Sequence, residues 1–449
     1  MNQAVRVVLV RHGESTFNVE KRIQGRSDLS QLTARGIDQA QAVRQALGKL
    51  CVDAVFASPL QRAWQTAQTI VEGSDLSVTP HEWLREVDVS EWEGLTFSDV
   101  KERFPQDYLH WHRHPERLQL SGRYPIRDLW GKAAAFWQQL PTLLEPRDPE
   151  QRVLNILIVG HSGINRALIG SALGLGYEHY QRLGQDNCAI SVLNFPQGLH
   201  QPAQLESLNL TGHLGDPLPP AKGGGTRLLL VRHGETQWNR EQRFQGQMDI
   251  PLNELGRWQA AQVATFLQHT PLDLAFSSPL QRPWATAEAI CAHHTHLTLI
   301  GIPELAEICH GEWEGKFQHE IEADYPGMLS QWQCQPHQVQ MPAGENLHQV
   351  WERTAQGWQQ ILQTCAQHPP AITAGVTALV VAHDATNKAL ICQLFGLDAS
   401  AFWAFKQGNA AVTVIDYPDG EKGGAVLRAL NITSHFGQGI LDCTAAGAL

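Results

Sequence analysis

The chain carries one stretch twice: Val7-Val8-Leu9-Val10-Arg11-His12-Gly13-Glu14 and Leu228-Leu229-Leu230-Val231-Arg232-His233-Gly234-Glu235. In each copy a short apolar run ends abruptly in a cation, an imidazole, a glycine and a carboxylate. A run of this kind, partly β-branched, suits a strand buried on both faces of a parallel sheet. The polar residues then emerge at the carboxyl end of the strand, where open α/β sheets place their ligand crevices. Arginine next to histidine suits an anionic ligand such as phosphate.

The correspondence extends far beyond this stretch. Asn18 answers to Asn239, Gln24-Gly25 to Gln245-Gly246, and Asp28 to Asp249. Ser58-Pro59-Leu60-Gln61-Arg62 answers to Ser278-Pro279-Leu280-Gln281-Arg282, Glu86 to Glu307, and His161 to His383. Glu91-Trp92-Glu93-Gly94 reappears as Glu312-Trp313-Glu314-Gly315, and Leu208-Asn209-Leu210-Thr211 as Leu430-Asn431-Ile432-Thr433. The register slips only by single-residue insertions, of which Gln31 is the first. A repeat this long is a duplicated domain, because solenoid units run only to about 50 residues. The expected organisation is a first domain over 1–212, a Pro/Gly linker over 213–225, a second domain over 226–436 and a poorly ordered tail over 437–449.

A net charge of −11 without a basic run argues against nucleic acid as a partner. The eight cysteines are scattered without a CxxC pair and are not shared between the halves, so they read as reduced thiols. The amino terminus leads straight into the first strand, so no secretory leader is expected, and the location expected is the cytoplasm. No apolar run approaches the roughly 18 residues of a membrane helix.

Taken in order, residues 5–10 form the first strand and 18–30 a loop. Residues 33–50 have helical spacing, and 53–57 form a second strand that stops at Ser58-Pro59. That pair suits an N-cap and first helical turn, which puts Arg62 near a helix start. A short strand follows at 76–79. Leu84 to Gly94 reads as too rich in charge and tryptophan to be core. Phe97 to Leu144 reads as helical, with Trp111, Trp130 and Trp137 as packing residues. Residues 155–159 form a buried strand that delivers His161, 164–173 a helix, and 189–193 a last strand. Strand ends are therefore expected to deliver His12, Arg62, Glu86 and His161 to one crevice, and the second half repeats the pattern.

Two strand-end histidines, two arginines and one glutamate per half match the needs of phosphoryl transfer without a metal. A neutral imidazole is a competent nucleophile toward phosphorus. Guanidinium forks and a second histidine hold the equatorial oxygens, and a protonated glutamate serves the leaving alcohol. With SPLxRAxxTA, LxExxxGxWEG and the late strand-histidine, the chain resembles two tandem copies of the histidine phosphatase (phosphoglycerate mutase-like) superfamily.

The resemblance implies two tandem three-layer α/β/α domains, each a mixed, mostly parallel sheet with helices on both faces. It implies His12 and His233 as nucleophiles, Glu86 and Glu307 as proton donors, and His161 and His383 beside them. Arg11, Asn18, Gln24, Gly25 and Arg62 would bind the substrate in the first half, and Arg232, Asn239, Gln245, Gly246 and Arg282 in the second. It implies no metal and no cofactor. The substrate implied is a small phosphorylated metabolite, such as phosphoserine or a sugar phosphate, hydrolysed through a phosphohistidine. The Trp-Glu-Gly form of the third motif resembles phosphatase members. A phosphoglycerate mutase, or a phosphate-binding regulatory protein with one inactive domain, remains the alternative.

The halves differ around the pockets. Ser90 stands where the second half has Gly311, Gly122-Arg123-Tyr124 where it has Gly344-Glu345-Asn346, and His161-Ser162-Gly163 where it has His383-Asp384-Ala385. Arg123 reads either as a further cation facing the pocket or as a solvated loop arginine. The second half is expected to be closer to the family's working form. His293-His294-Thr295-His296 has no carboxylate or cysteine at ligand spacing and reads as an exposed helix end. Asn209 and Asn431 read as strand-end residues rather than glycosylation sites.

Overall fold

The computed structural model describes residues 3–144, 153–216, 218–221, 224–369, 375–420 and 424–437, with 439, 441 and 444. Most of the expected tail, and residues 217 and 222–223 of the expected linker, lie outside the described residues. The chain divides into two compact units, Met1–Pro219 and Pro220–Leu449.

In the first unit the repeated apolar run is strand β1 (Val5–Arg11). One helical turn, α1 (Thr16–Val19), interrupts the expected loop. Helix α2 (Ala34–Leu47) starts where Thr33 accepts from the Gly36 N–H, so the cap sets its beginning. Strand β2 (Ala54–Ala57) leads into α3 (Gln61–Val71), and β3 (Val78–Pro80) follows. The N-cap position of α3 is Leu60, not Ser58; Arg62 is nonetheless in the first turn.

The single helical stretch expected over 97–144 is broken into α4 (Phe97–Arg103), α5 (Pro105–Arg113), a 3₁₀ turn (Pro115–Arg117) and α6 (Pro125–Leu143). Each break lies at a residue preceding a proline. Phe104, His114 and Tyr124 have ψ of 56°, 59° and 84°, outside the helical region that proline disfavours for its predecessor.

Strand β4 (Leu154–Gly160) leads into α7 (Ser162–Ala172), and β5 (Ile190–Phe195), expected to be the last strand, is followed by one more, β6 (Gln204–Leu210).

The strand order is β3-β2-β4-β1-β5-β6. The pairs β1–β4, β2–β4 and β2–β3 are parallel, whereas β5 runs antiparallel to β1 and to β6. Every residue of β4 is buried, which requires cover on both faces. Helix α2 packs on α3 and α6 on α7, with α3 against β4 and α7 against β1. Burying side chains such as Ile156, Leu157 and Ile158 stabilises by roughly 1.5–3 kcal/mol each.

The second unit repeats this with β7 (Thr226–Arg232), α8 (Gln237–Glu241), α9 (Glu254–Leu267), β8 (Leu274–Ser277), α10 (Gln281–Cys291) and β9 (Leu299–Gly301). Then come α11 (Gln318–Asp324), α12 (Met328–Cys334), α13 (Leu347–Gln367), β10 (Val376–Ala382), α14 (Asp384–Leu394), β11 (Val412–Tyr417) and β12 (Val426–Ile432). The order is β9-β8-β10-β7-β11-β12, and β10 is again parallel to both β7 and β8. The fold is thus two α/β domains, each with a mixed sheet. The histidine run 293–296 begins just past the end of α10, but His294 is buried rather than exposed.

Candidate active site

Register brings the two histidines of each unit together. Arg11 pairs with Gly160 across β1 and β4, so the next residues, His12 and His161, leave the sheet side by side with ring centroids 5.2 Å apart. His233 and His383 repeat this at 5.2 Å, from the register of Arg232 with Ala382.

Each first histidine has a defined tautomer. His12 Nδ1 lies 2.7 Å from the Gly13 carbonyl, and His233 Nδ1 lies 2.7 Å from that of Gly234. A carbonyl only accepts, so Nδ1 carries the proton and Nε2 of the neutral ring keeps its lone pair. Burial, with Arg62 and Arg11 nearby, holds His12 well below the usual imidazole range. Burial, Arg282 and Arg232 do the same for His233. In the second unit Arg282 Nε donates to His233 Nε2 at 3.3 Å.

The arginines are fixed by backbone carbonyls rather than by carboxylates. Arg62 donates to Ser27 O and Gly25 O, both at 2.8 Å, and Arg11 donates to Gln185 O at 2.7 Å. Arg282 donates to Gly246 O at 2.7 Å and Met248 O at 3.1 Å, and Arg232 to Gln407 O at 2.6 Å. These acceptors position the guanidinium groups without neutralising them, although Arg232 Nη1 also has Asp384 Oδ1 at 3.8 Å. Burial lowers Arg62 and Arg282 to about 10, which leaves both charged at neutral pH. Nε of Arg11, Arg62 and Arg232, and Nδ1 of His161 and His383, are buried without a protein partner. The unpaired arginine N–H groups carry a desolvation cost that an anion would offset.

Glu86 does not sit at a strand end. It lies in the loop after a 3₁₀ turn (Glu82–Leu84), where its carboxylate accepts from the backbone N–H groups of Val87, Gly163 and Ile164 at 2.8, 2.9 and 3.1 Å. Glu307 likewise accepts from Ile308 at 3.0 Å, Asp384 at 3.1 Å and Ala385 at 3.4 Å. Burial, reinforced by Asp384, raises Glu307 above the usual carboxyl range.

The surrounding segment is core after all: Leu84, Val87, Val89 and Trp92 are buried, as are Leu305, Ile308 and Trp313. The charges that argued against burial are accommodated by hydrogen bonds. Glu93 accepts from Arg26 N at 2.6 Å, and Glu314 accepts from Gln247 N at 2.9 Å and Met248 N at 2.8 Å. Each glutamate thereby anchors the loop whose carbonyls hold Arg62 or Arg282.

Of the remaining expected binding residues, Asn18 and Asn239 cap their helical turns and also receive Asn187 and Asn409. Gln24 and Gln245 each meet the hydroxyl of Ser15 or Thr236. Gly25 and Gly246 act through their carbonyls, as described. A cavity in the second unit is lined by Arg232, His233, Asn239, Gln245, Glu307 and Asp384, among others.

Several supporting residues escaped sequence reasoning. His161 and His383 meet the hydroxyls of Ser58 and Ser278 at 2.8 Å, and the N–H groups of Gly13 and Gly234 donate to Thr66 and Thr286. These, with Asn187 and Asn409, are polar residues kept in both halves, and that repetition was the available signal. His310 lines the second pocket with no counterpart in the first half, where Val89 stands, so the repeat gave no hint of it.

Arg123 neither faces a pocket alone nor floats in solvent. It donates to Asp88 at 3.0 Å while half exposed, and Arg26 shares that carboxylate at 3.2 Å. In the second unit the carboxylate comes from the other partner: Glu345 accepts from Arg353 at 2.8 and 2.9 Å and from Cys309 N at 2.8 Å.

Two matches to one family model divide the chain as its repeat does. The model of the histidine phosphatase superfamily (branch 1) fits residues 7–208 and again 228–433. A 2-carboxy-D-arabinitol-1-phosphatase of Triticum aestivum is 32% identical over 450 residues, covering 97% of this chain and 87% of the relative. Phosphoserine phosphatase 1 of Hydrogenobacter thermophilus is 35% identical over 212 residues, 47% of this chain and 95% of the relative. A probable phosphoglycerate mutase of Cronobacter sakazakii is 32% identical over 218 residues, 48% of this chain and 97% of the relative.

Proposed function

Because the chain belongs to the histidine phosphatase superfamily, we propose that it is a phosphomonoesterase working through a phosphohistidine in two catalytic domains, 1–212 and 226–436, joined by 213–225. The observation that carries this reading is the oriented neutral imidazole. His12 and His233 commit Nδ1 to their own neighbouring carbonyls and keep Nε2 as a nucleophile beside charged arginines.

Attack by Nε2 forms the nitrogen–phosphorus bond and breaks the ester bond to the alcohol oxygen. Arg11, Arg62 and His161, or Arg232, Arg282 and His383, hold the equatorial oxygens. The carboxylic acid of Glu86 or Glu307 gives the leaving oxygen its proton. The resulting carboxylate then takes a proton from the water that cleaves the phosphohistidine. Positive charge from guanidinium groups serves where other phosphatases use a metal, so turnover is expected in excess chelator.

The substrates are small phosphate monoesters. A phosphorylated sugar acid such as 2-carboxy-D-arabinitol 1-phosphate is the first to assay, since the wheat relative named for it aligns over nearly the whole chain. The cytoplasm is the proposed location. No helix among the described residues is long and apolar enough to cross a membrane, and all seven described cysteines are free.

The test is phosphate release from a panel of such esters, with quenching in alkaline detergent to trap labelled enzyme. Expected are an acid-labile, base-stable label on His12 and His233, and no release by the His12→Ala/His233→Ala double variant. Wild-type turnover by that double variant would overturn the reading. Phosphoryl return to a second alcohol in place of free phosphate would instead indicate a mutase, as the Cronobacter relative is named.

A further inference from the structure

The second site holds a charge pair that the first does not. Asp384, the residue after His383, is buried and lines the cavity with Arg232 and Glu307. Its Oδ2 accepts from Lys388 Nζ at 2.7 Å, and its Oδ1 lies 3.8 Å from Arg232 Nη1. Lys388 is buried too, with its ammonium 5.0 Å from the Phe402 ring centre and 4.7 Å from that of Trp403. The corresponding residues of the first unit are Ser162 and Arg166. Arg166 turns to Leu183 O at 2.8 Å and Gln181 at 3.3 Å, beside Tyr180. The first unit therefore has no carboxylate at this point of its pocket wall.

Helix stability does not account for the pair. An exposed pair spaced four residues apart contributes only about 0.2–0.5 kcal/mol, and a buried one is often no better than apolar residues of the same size. The location is more informative. The Asp384 N–H donates to Glu307 at 3.1 Å, so Asp384 adjoins the acid that serves the leaving alcohol. Asp384 thus shares one cavity wall with Glu307 and Arg232.

We propose that Asp384, held by Lys388, is a specificity determinant of the second site, favouring esters whose alcohol part offers hydroxyl or ammonium donors and disfavouring those bearing a second anion. This rests on the reading of the second site as a phosphatase with Glu307 as proton donor. A carboxylate accepts from such donors with charge-assisted hydrogen bonds. A like charge brought against it is rejected, which is specificity by repulsion. The two sites of one chain then differ in the substrates they process.

The experiment uses the full chain with His12→Ala, so that only the second site turns over. Glycerol 3-phosphate and 3-phosphoglycerate form a matched pair, since a hydroxymethyl group in one replaces a carboxylate in the other. The expected kcat/KM ratio favours glycerol 3-phosphate and falls about tenfold or more with Asp384→Ser or Asp384→Asn, given what like-charge contact costs. The isosteric Asp384→Asn keeps the test open should the smaller residue prevent folding. A ratio unchanged within about twofold in the folded Asn variant overturns the proposal, because a merely structural pair would lower both rates together. Failure of the underlying reading is distinguishable: the His12→Ala enzyme would then not hydrolyse p-nitrophenyl phosphate either, and the proposal would fall with it.

Discussion

At the scale of single residues, the site depends on groups whose ordinary protonation is changed by where they sit. Burial and two guanidinium groups keep His12 and His233 neutral below the pH at which a free imidazole protonates. Burial with Asp384 keeps Glu307 protonated above the pH at which a free carboxyl ionises. The imidazoles are therefore neutral at neutral pH, and Glu307 holds its proton to a higher pH than a free carboxyl does. If Glu307 is the donor, Glu307→Gln in the His12→Ala background should slow alkyl phosphates by about 10²–10⁴-fold. p-Nitrophenyl phosphate should lose much less, since its phenolate leaves without a proton. Steady-state kcat for the two ester types checks this, and equal losses would assign Glu307 another role. The same shift gives a sign for pH dependence. Alkyl ester turnover by the second site should decline as pH rises through the raised pKa of Glu307, while aryl turnover should not.

At the scale of elements, the loops matter more than the helices that cover the sheet. The Gln245–Asp249 loop holds Arg282 through the Gly246 and Met248 carbonyls and is itself held by Glu314. A Cβ at Gly246 would lie 2.1 Å from Glu314 Oε1 and 2.7 Å from the Ile308 carbonyl, so the loop would have to move. In the His12→Ala background, Gly246→Ala should therefore weaken inorganic phosphate binding and lower kcat by roughly 10²-fold, the scale of losing one fixed donor. Calorimetric titration with phosphate would read the first effect, and unchanged affinity would contradict it. A related contrast explains Ser90. In the second unit Gly311 has φ +56° and lies so close to Pro342 and Gly344 that a Cβ would sit 2.0 Å from the Pro342 carbonyl. In the first unit a Cβ on Gly122 would meet nothing within 4 Å, so the hairpin stands farther off and leaves room for a side chain.

At the scale of the whole molecule, buried neutral histidines link stability to pH. His213 and His435, equivalent in the repeat, are held at about 4 by burial, and His310 at about 3. Above the unfolded value of about 6.5 these rings are neutral in both states and their contribution is complete. As pH falls below that value the unfolded chain takes up protons that the folded chain refuses, so stability is lost progressively toward pH about 4. The urea midpoint should therefore fall between about pH 7.5 and 5, and His213→Gln with His435→Gln should flatten that dependence. A midpoint that stays constant or rises over the same interval would contradict the assignment of these rings as neutral when folded.

The duplication, the α/β class and the strands that deliver the histidines were all legible in the chain. These properties are local or repeated: an apolar run ending in Arg-His-Gly-Glu specifies a buried strand and what emerges from it, and a second copy removes coincidence. Even the breaks at Phe104, His114 and Tyr124 were written in the prolines that follow them, though Phe97 to Leu144 reads as one helical stretch. Other features depended on which surfaces meet. Charge in Leu84–Gly94 argued for exposure, yet backbone amides from α7 and α14 receive the carboxylates of Glu86 and Glu307 inside the fold. Asp88 and Glu345 serve the same purpose from opposite partners of their respective pairs, an exchange that no periodicity records. Asp384 and Lys388 are four residues apart on α14, but only the meeting of α14 with the Glu307 loop puts that carboxylate in the pocket wall. Local sequence encodes dihedral preference and burial, whereas the partner of a charge is set by distant segments that burial forces together.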